Sequence, residues 1–342
     1  MNIVRTADWS AFHTRFVEAL HVIGTVGNDE NFDELLDIAQ RNFIDTSDLE
    51  LTAADLAVRI WLEVPQTLER LERSNSLQRR RKFESLRARR PEDGLPTEGI
   101  PRDFLDLEQA LDDWFGSRKR GVGCKIIRKD GPGEVRFLVQ HGQLCRREPS
   151  RKGVESTCTF FRPEKTDVVI YDPSRNELRI NTSTLGELLA YRQLFGLHLF
   201  GDSDKFTYTQ KYTLDPLKEL GSAALRCRDL AGIEWIRLRE VEYSVPGRSL
   251  LIERLKGDDV FIALADRERR IPPEVEIKSA VFRVKLESVK SARSVSIRPP
   301  NIAGYGRGDE AVIIEQWLQV RGFIVTRPTV EYEETEQLVP RA

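Results

Sequence analysis

The chain has few cysteines and lacks any long apolar run. Four cysteines stand in 342 residues, at positions 124, 145, 158 and 227, and no two of them form a Cys-x-x-Cys pair. This is not the pattern of a disulfide framework, and it favours a reducing cytoplasm. No apolar segment approaches the roughly 18 residues of a membrane span, and residues 1–16 lack the apolar core of a secretory signal. The sequence therefore predicts a cytoplasmic protein with no membrane partner.

The chain also lacks an excess of either charge. It carries 53 lysines and arginines against 55 aspartates and glutamates, for a formal net charge of −2. A global positive field is thus excluded, and any nucleic-acid binding has to come from a local patch. With 40% hydrophobic residues the chain can bury ordinary cores, and its length predicts two domains.

Familiar catalytic and metal-binding motifs are missing from the sequence. It contains no His-Glu-x-x-His, no Gly-x-Ser-x-Gly and no protein-kinase signature. His141, Cys145 and Cys158 could in principle share a zinc ion, but they lack the paired spacing of a zinc site. We therefore expect no metal ion and no cofactor, and we expect these three side chains to be buried or on edge strands.

One enzymatic alternative remains open, a Mg²⁺-dependent nuclease. Such a core needs an acid at the end of one strand and Glu-x-Lys on the next. Two carboxylates then hold the metal, and the lysine steadies the attacking water or the charged transition state. Asp259, Glu276 and Lys278 have this order, and on a strand Glu276 and Lys278 would share one face. The competing interpretation is the solvated face of an ordinary strand.

Hydrophobic periodicity divides the chain into a helical part and a β-rich part. Apolar residues recur at spacings of three and four in the first part, which predicts amphipathic helices. The period then changes to two, with a hairpin at 168–180 and further strands between 232 and 300, including Asp259–Asp266. The predicted fold class is α+β. Its parts are a helical domain 1–117, a larger mixed domain 118–328 with mostly antiparallel sheet, and an acidic tail 329–342.

An arginine-rich segment lies in the second half of the helical part. Between Arg70 and Arg90 nine basic residues stand against two acids, and we predict a basic helix over 70–90 that contacts phosphate. Residues 29–55 have the opposite character, with nine acids against Arg41, so pairing of the two segments is the alternative. The basic residues that we assign to nucleic acid are Arg70, Arg73, Arg79, Arg80, Arg81, Lys82 and Arg87.

Residues 51–73 resemble the helix-turn-helix of repressor-type DNA-binding proteins. The resemblance rests on Thr52 opening the first helix, the small Ala57 at the helix crossing and Val64 in the turn, and it covers 23 of the 342 residues. The family's turn is shorter by about two residues, since Trp61–Glu63 stand in its place here. The second helix of that family places its N-terminal residues on base edges in the major groove. The resemblance therefore implies base contacts from Gln66, Thr67 and Arg70.

Together these features predict a non-enzymatic, nucleic-acid-associated protein. The helical domain would contact duplex DNA through residues 64–90, and the β-rich domain would bind a protein partner or sense a ligand. That division suits a regulator or a subunit of a bacterial DNA-handling or defence system. Two alternatives stay open: the Mg²⁺-dependent nuclease, and an assembly subunit that uses its bipolar helical domain for self-association.

Overall fold

The computed structural model describes residues 11–28, 31–46, 51–78, 82–90, 93–131, 133–152, 154–289, 291–305 and 309–325. It is an α+β fold, with helices mainly toward the amino terminus and a large, mostly antiparallel sheet. The chain divides into two compact units, residues 1–80 and 81–342. This boundary falls earlier than the predicted one at 117–118, because the helix Leu105–Ser117 packs in the core of the second unit. The predicted acidic tail 329–342 lies outside the described residues.

The described residues of the first unit form a bundle of four helices. These are α1 (Ala11–Val26), α2 (Phe32–Arg41), α3 (Ala53–Glu63) and α4 (Pro65–Gln78). Leu56 and Ile60 of α3 and Leu68 and Leu71 of α4 are buried in one core, as their spacing of three to four residues predicts. Two packed helices therefore occupy the stretch that resembles a helix-turn-helix.

Helix α3 begins at a complete capping box. The hydroxyl of Thr52 accepts a hydrogen bond from the backbone N–H of Asp55 at 3.2 Å, and the Asp55 carboxylate accepts one from the backbone N–H of Thr52 at 3.0 Å. Each side chain satisfies a backbone donor that the start of a helix leaves without an intrahelical partner. The helix continues through Trp61–Glu63, where the resemblance places the turn, and only Val64 separates it from α4.

The predicted basic helix over residues 70–90 is wrong. Helix α4 ends at Gln78, and Lys82–Ala88 form strand β1. Phe83, Leu86 and Ala88 of this strand are buried, and β1 has hydrogen-bonded neighbours on both sides. Extended backbone buries apolar side chains on two faces here, whereas a solvated helix would leave part of that surface in water.

The second unit is built on a sheet of eleven strands. Besides β1, its strands are β2 (Lys125–Gly131), β3 (Glu134–Gly142), β6 (Glu164–Asp172), β7 (Glu177–Asn181), β8 (Phe206–Thr207), β9 (Ile233–Val245), β10 (Leu251–Lys256), β11 (Glu276–Leu286), β12 (Arg293–Arg298) and β13 (Ile302–Gly304). The order across the sheet is β10-β9-β11-β12-β13-β1-β7-β6-β3-β2, and β8 pairs with β1 off this path. Strands β4 (Arg146–Lys152) and β5 (Glu155–Phe161) pair with each other in a separate two-stranded sheet.

Helices follow or interrupt these strands. Those in the described part of the second unit are α5 (Leu105–Ser117), α6 (Leu185–Phe200), α7 (Pro216–Glu219), α8 (Val260–Ala265) and α9 (Asp309–Val320). Across the described residues of the whole chain, the helices fall short of the length and apolarity that crossing a bilayer requires.

The central strand β1 separates two hydrophobic cores that lie on opposite faces of the sheet. Phe83 pairs with Ala303 of β13, and Ala303 belongs to the core that includes α9. Leu86 pairs with Leu178 of β7, and both belong to the core that includes α5 and α6. Because side chains alternate along a strand, positions 83 and 86 face opposite sides. The two halves of the sheet therefore carry these helices on opposite faces.

Local hydrogen bonds account for one predicted element that is confirmed and one that is wrong. The hairpin predicted at 168–180 is present as β6 and β7, and the carboxylate of Asp172 accepts the backbone N–H of Ser174 in its turn at 3.0 Å. The strand predicted at Asp259–Asp266 is instead helix α8. Asp259 caps this helix, since its carboxylate accepts the backbone N–H of Phe261 at 3.0 Å.

Candidate nucleic-acid interface

The three residues expected to contact bases lie together at the start of α4. Gln66 and Arg70 are exposed and Thr67 is half-buried. The Arg70 guanidinium donates hydrogen bonds to the Gln66 carbonyl at 3.2 Å and to the Thr67 hydroxyl at 3.3 Å. Arginine and glutamine side chains can each form paired hydrogen bonds with a base edge. The structure thus groups three side chains of suitable chemistry at one end of a helix.

The remaining residues of the predicted interface do not join this group as a helix. Arg79, Arg80 and Arg81 lie outside the described residues, and Arg73 is described only as part of the α4 backbone. Lys82 and Arg87 lie on strand β1, where Lys82 is exposed and Arg87 is half-buried opposite Glu177 and Thr207. The sequence of α4 holds two arginines and two glutamates, so this helix alone offers no excess of positive charge to phosphate.

The structure does not bring together the three residues of the nuclease alternative. Asp259 follows Asp258, which forms an ion pair with Arg239 on β9, whereas Glu276 pairs with Ser244. Five residues along β9 span about 16 Å, too far for two carboxylates to share one metal ion. Lys278 instead forms an exposed ion pair with Glu276 at 2.5 Å, and Asp259 is occupied as a helix cap. The structure therefore gives no support to a shared metal site at Asp259, Glu276 and Lys278.

A buried ionic cluster in the second unit was not predicted from the sequence. His141, Asp167 and Glu187 are buried, and their nearest side-chain atoms lie within 4.8 Å of one another. The His141 Nε2 atom lies 3.1 Å from the Asp167 carboxylate, and its ring stacks on Phe115 with centroids 4.0 Å apart. The Lys165 ammonium lies 3.0 Å from Asp167 and 2.8 Å from Glu187.

This cluster is an internal ion-pair network and does not fit a metal ion. Arg120 forms a second ion pair with Glu187, so two cationic side chains already neutralise the two carboxylates. Burial opposes the charged form of Glu187, but hydrogen bonds from Lys165, Thr182 and Arg120, with the charge of Lys165, outweigh it and hold the pKa of this carboxyl well below its usual value. A divalent cation would have to displace the Lys165 ammonium, which lies where such an ion would bind.

The zinc trio considered from the sequence is not assembled either. Within the described residues, His141, Asp167 and Glu187 are the group whose ligand atoms come close enough to hold an ion. Cys145 is exposed, Cys158 is half-buried on β5, and all four cysteines are free thiols. The sequence signal for the buried cluster is faint, because its acids stand twenty residues apart and show only as Asp167 before an apolar run and Glu187 in a Thr-x-x-Glu capping pattern.

Comparison of the chain with models of known protein families gives no match, and comparison with curated proteins gives none either.

Proposed function

We propose that this protein binds duplex DNA without cleaving it, as a regulator or a subunit of a bacterial DNA-handling or defence system. Helix α4 would enter the major groove and contact base edges through Gln66, Thr67 and Arg70. The observation that carries the proposal is the grouping of these three side chains on the first turns of the second of two packed helices. A helix presented in this way has the dimensions of the groove and can place its first residues against bases.

Two further features support this assignment. The residues of the nuclease alternative are separated along β9, so a binding role is favoured over hydrolysis at that site. All four cysteines are free thiols, which suits the reducing cytoplasm in which we place the protein. Contact of the run Arg79–Arg81 with phosphate remains a prediction from the sequence.

Selection of bound duplexes from a randomised pool by the full chain tests this proposal. We expect one sequence to be enriched. The Arg70→Gln variant should then bind that sequence more weakly by about 1–3 kcal/mol and lose its preference at one base position. The matched control is Arg41→Gln, which removes the same charge from an exposed arginine of α2 and should leave the preference intact. Enrichment of no sequence, or equal losses in the two variants, would contradict the proposal.

A further inference from the structure

The two-stranded sheet of β4 and β5 is a ribbon that stands apart from the main sheet. Its strands are hydrogen-bonded to each other, and their residues are exposed except for Ser150 and Cys158, which are half-buried, and Lys152, whose side chain is not described. At about 3.3 Å per residue, seven residues on each strand give a length of about 23 Å. A ribbon with so little burial contributes little to a core, so its exposed side chains are available for contact.

One face of this ribbon is basic and carries no acid. Arg147 pairs with Phe160, Pro149 with Cys158 and Arg151 with Ser156. These six residues share a face because side chains alternate along both strands. Both glutamates of the ribbon, at positions 148 and 155, fall on the other face. Phe160 on the basic face is 67% exposed.

The basic character continues at the base of the ribbon. Arg162 donates hydrogen bonds to the carbonyl oxygens of Lys119 at 2.6 Å and Gln143 at 2.7 Å, and Arg146 donates to the Gln143 side chain at 2.9 Å. These contacts hold the loop at 118–121 against the ribbon. A Cβ added at Gly142 would lie 2.4 Å from the Arg120 carbonyl oxygen, so glycine is required for this close approach.

The cations of this surface form no ion pair with any described residue. We call the surface the ribbon surface, and its exposed basic residues are Arg118, Lys119, Arg146, Arg147, Arg151 and Arg162. The buried cluster lies just beneath them, because Arg120 of the same loop and Lys165, which follows β5, are paired with its carboxylates. Asp167 and Glu187 are thus paired inside the protein. The exposed acids of the ribbon, Glu148 and Glu155, lie on the face opposite Arg147 and Arg151.

We propose that the ribbon surface binds the phosphate backbone of duplex DNA, with β4 and β5 lying in the major groove. This inference rests on the proposed function and adds a second contact in the other unit. A two-stranded β-ribbon fits the major groove, and arginine matches phosphate with paired hydrogen bonds. Because the whole chain carries a charge of −2, attraction of a polyanion requires a local surface of this kind.

The composition of the ribbon disfavours a second copy of the chain as the occupant. Pro149 lies in β4 and lacks the N–H that an added strand would need. Two arginines without a balancing acid on one face would also repel the same face of another copy. Neither obstacle applies to duplex DNA, because its phosphates attract the arginines and its binding needs no backbone pairing with β4.

Salt titrations of binding to a fluorescent duplex, with the full chain and two double variants, test the inference. With six phosphate contacts the wild type should show a slope of log K against log salt of about −5, and Arg147→Gln with Arg151→Gln should reduce its magnitude by about two. Affinity should fall roughly 10- to 100-fold near 0.1 M salt. The matched control is Arg237→Gln with Arg283→Gln, which removes two exposed arginines from facing positions on β9 and β11.

The outcomes separate this inference from the proposed function. A reduced slope in the ribbon variant alone, with the base preference set by Arg70 unchanged, supports the ribbon surface. An unchanged slope in the ribbon variant beside an intact Arg70-dependent preference overturns the ribbon surface and leaves the proposed function standing. An equal loss in the control variant, tighter binding of single strands that Phe160→Ala abolishes, or capture of an acidic protein in place of DNA each overturns duplex docking on the ribbon. Circular dichroism of each variant verifies that it folds.

Discussion

Lys211 and Glu177 form an ion pair that is withdrawn from water. The Lys211 ammonium lies 2.6 Å from the Glu177 carboxylate, and the two side chains are 2% and 0% exposed. Burial opposes the charge on each group. The charge of Lys211, aided by Arg179, nevertheless lowers the pKa of Glu177, and the charge of Glu177 raises the pKa of Lys211. Each group is therefore held in its charged form by the other.

Replacing Lys211 by methionine is expected to destabilise the protein by about 3–5 kcal/mol, because Glu177 would be left buried without its main partner. The double variant Lys211→Met with Glu177→Met should recover most of that loss, since a buried apolar pair of similar volume is nearly neutral. Urea unfolding of the two variants and the wild type measures the coupling. A double variant as unstable as Lys211→Met would show that the carboxylate left alone is not the cause.

The ionisation of Glu187 makes the folding stability of the protein depend on pH. Its pKa is lowered in the folded protein, so its contribution is complete above the unfolded-state pKa of about 4.3 and is lost as pH falls below it. We expect the melting temperature of the wild type to drop as the pH falls below about 4.3. Glu187→Gln should melt lower at neutral pH and change less with acid. Glu148→Gln, on the exposed ribbon, is the control, and a Glu187→Gln profile parallel to the wild type would refute the assignment.

At the scale of elements, a capping box fixes the beginning of α3, the helix that packs against the proposed DNA-contacting helix α4. Thr52→Ala removes the side-chain acceptor for the Asp55 N–H and should destabilise the protein by about 1 kcal/mol. Thr52→Ser keeps the hydroxyl and should restore most of the loss. Thermal unfolding followed by circular dichroism measures both. Equal stabilities of the alanine and serine variants would show that the cap contributes nothing.

The elements that could be predicted are those whose signal is local. The hairpin of β6 and β7 shows in its Asp-Pro turn and in alternating residues, and α3 and α4 show in the spacing of Leu56, Ile60 and Leu68. Helix α8 is short and almost wholly apolar, so periodicity cannot distinguish it from a buried strand. The Asp259 carboxylate accepts hydrogen bonds from two backbone N–H groups and so favours a helix over a strand. Hydrophobic periodicity does not reveal these hydrogen bonds.

The prediction for the arginine-rich segment is wrong for a different reason. Consecutive basic residues after a helix look like its continuation, yet Phe83, Leu86 and Ala88 carry the alternation of a strand buried on both faces. The ribbon surface was missed because its charges are spread along the chain. Residues 117–165 contain thirteen basic and five acidic residues, so a count over a longer window would have pointed to it. Only the register of β4 and β5 shows that Arg147 and Arg151 share a face with no acid.

At the scale of the whole molecule, the net charge of −2 conceals an uneven distribution of charged side chains between the interior and the surface. Three acids of the second unit, Asp167, Glu177 and Glu187, are buried, while the arginines of the ribbon surface are exposed. Burial also determines where the boundary between the two units lies. Helix α5 shows the periodicity of the N-terminal helices, but its Leu107, Leu111 and Phe115 pack against strands. No sequence pattern states which partner an apolar face will meet.

The position of β1 has a consequence for the order of events during synthesis. This strand is the first of the sheet to leave the ribosome, yet its neighbour β7 ends at Asn181 and its other neighbour β13 ends at Gly304. At roughly 5–20 residues per second, the second neighbour follows β1 by about 10–40 s. During that interval β1, which carries apolar residues for two cores, can pack into at most one of those cores. The growing chain is then exposed to aggregation at its own centre, and a chaperone that shields extended apolar segments would act on β1 first.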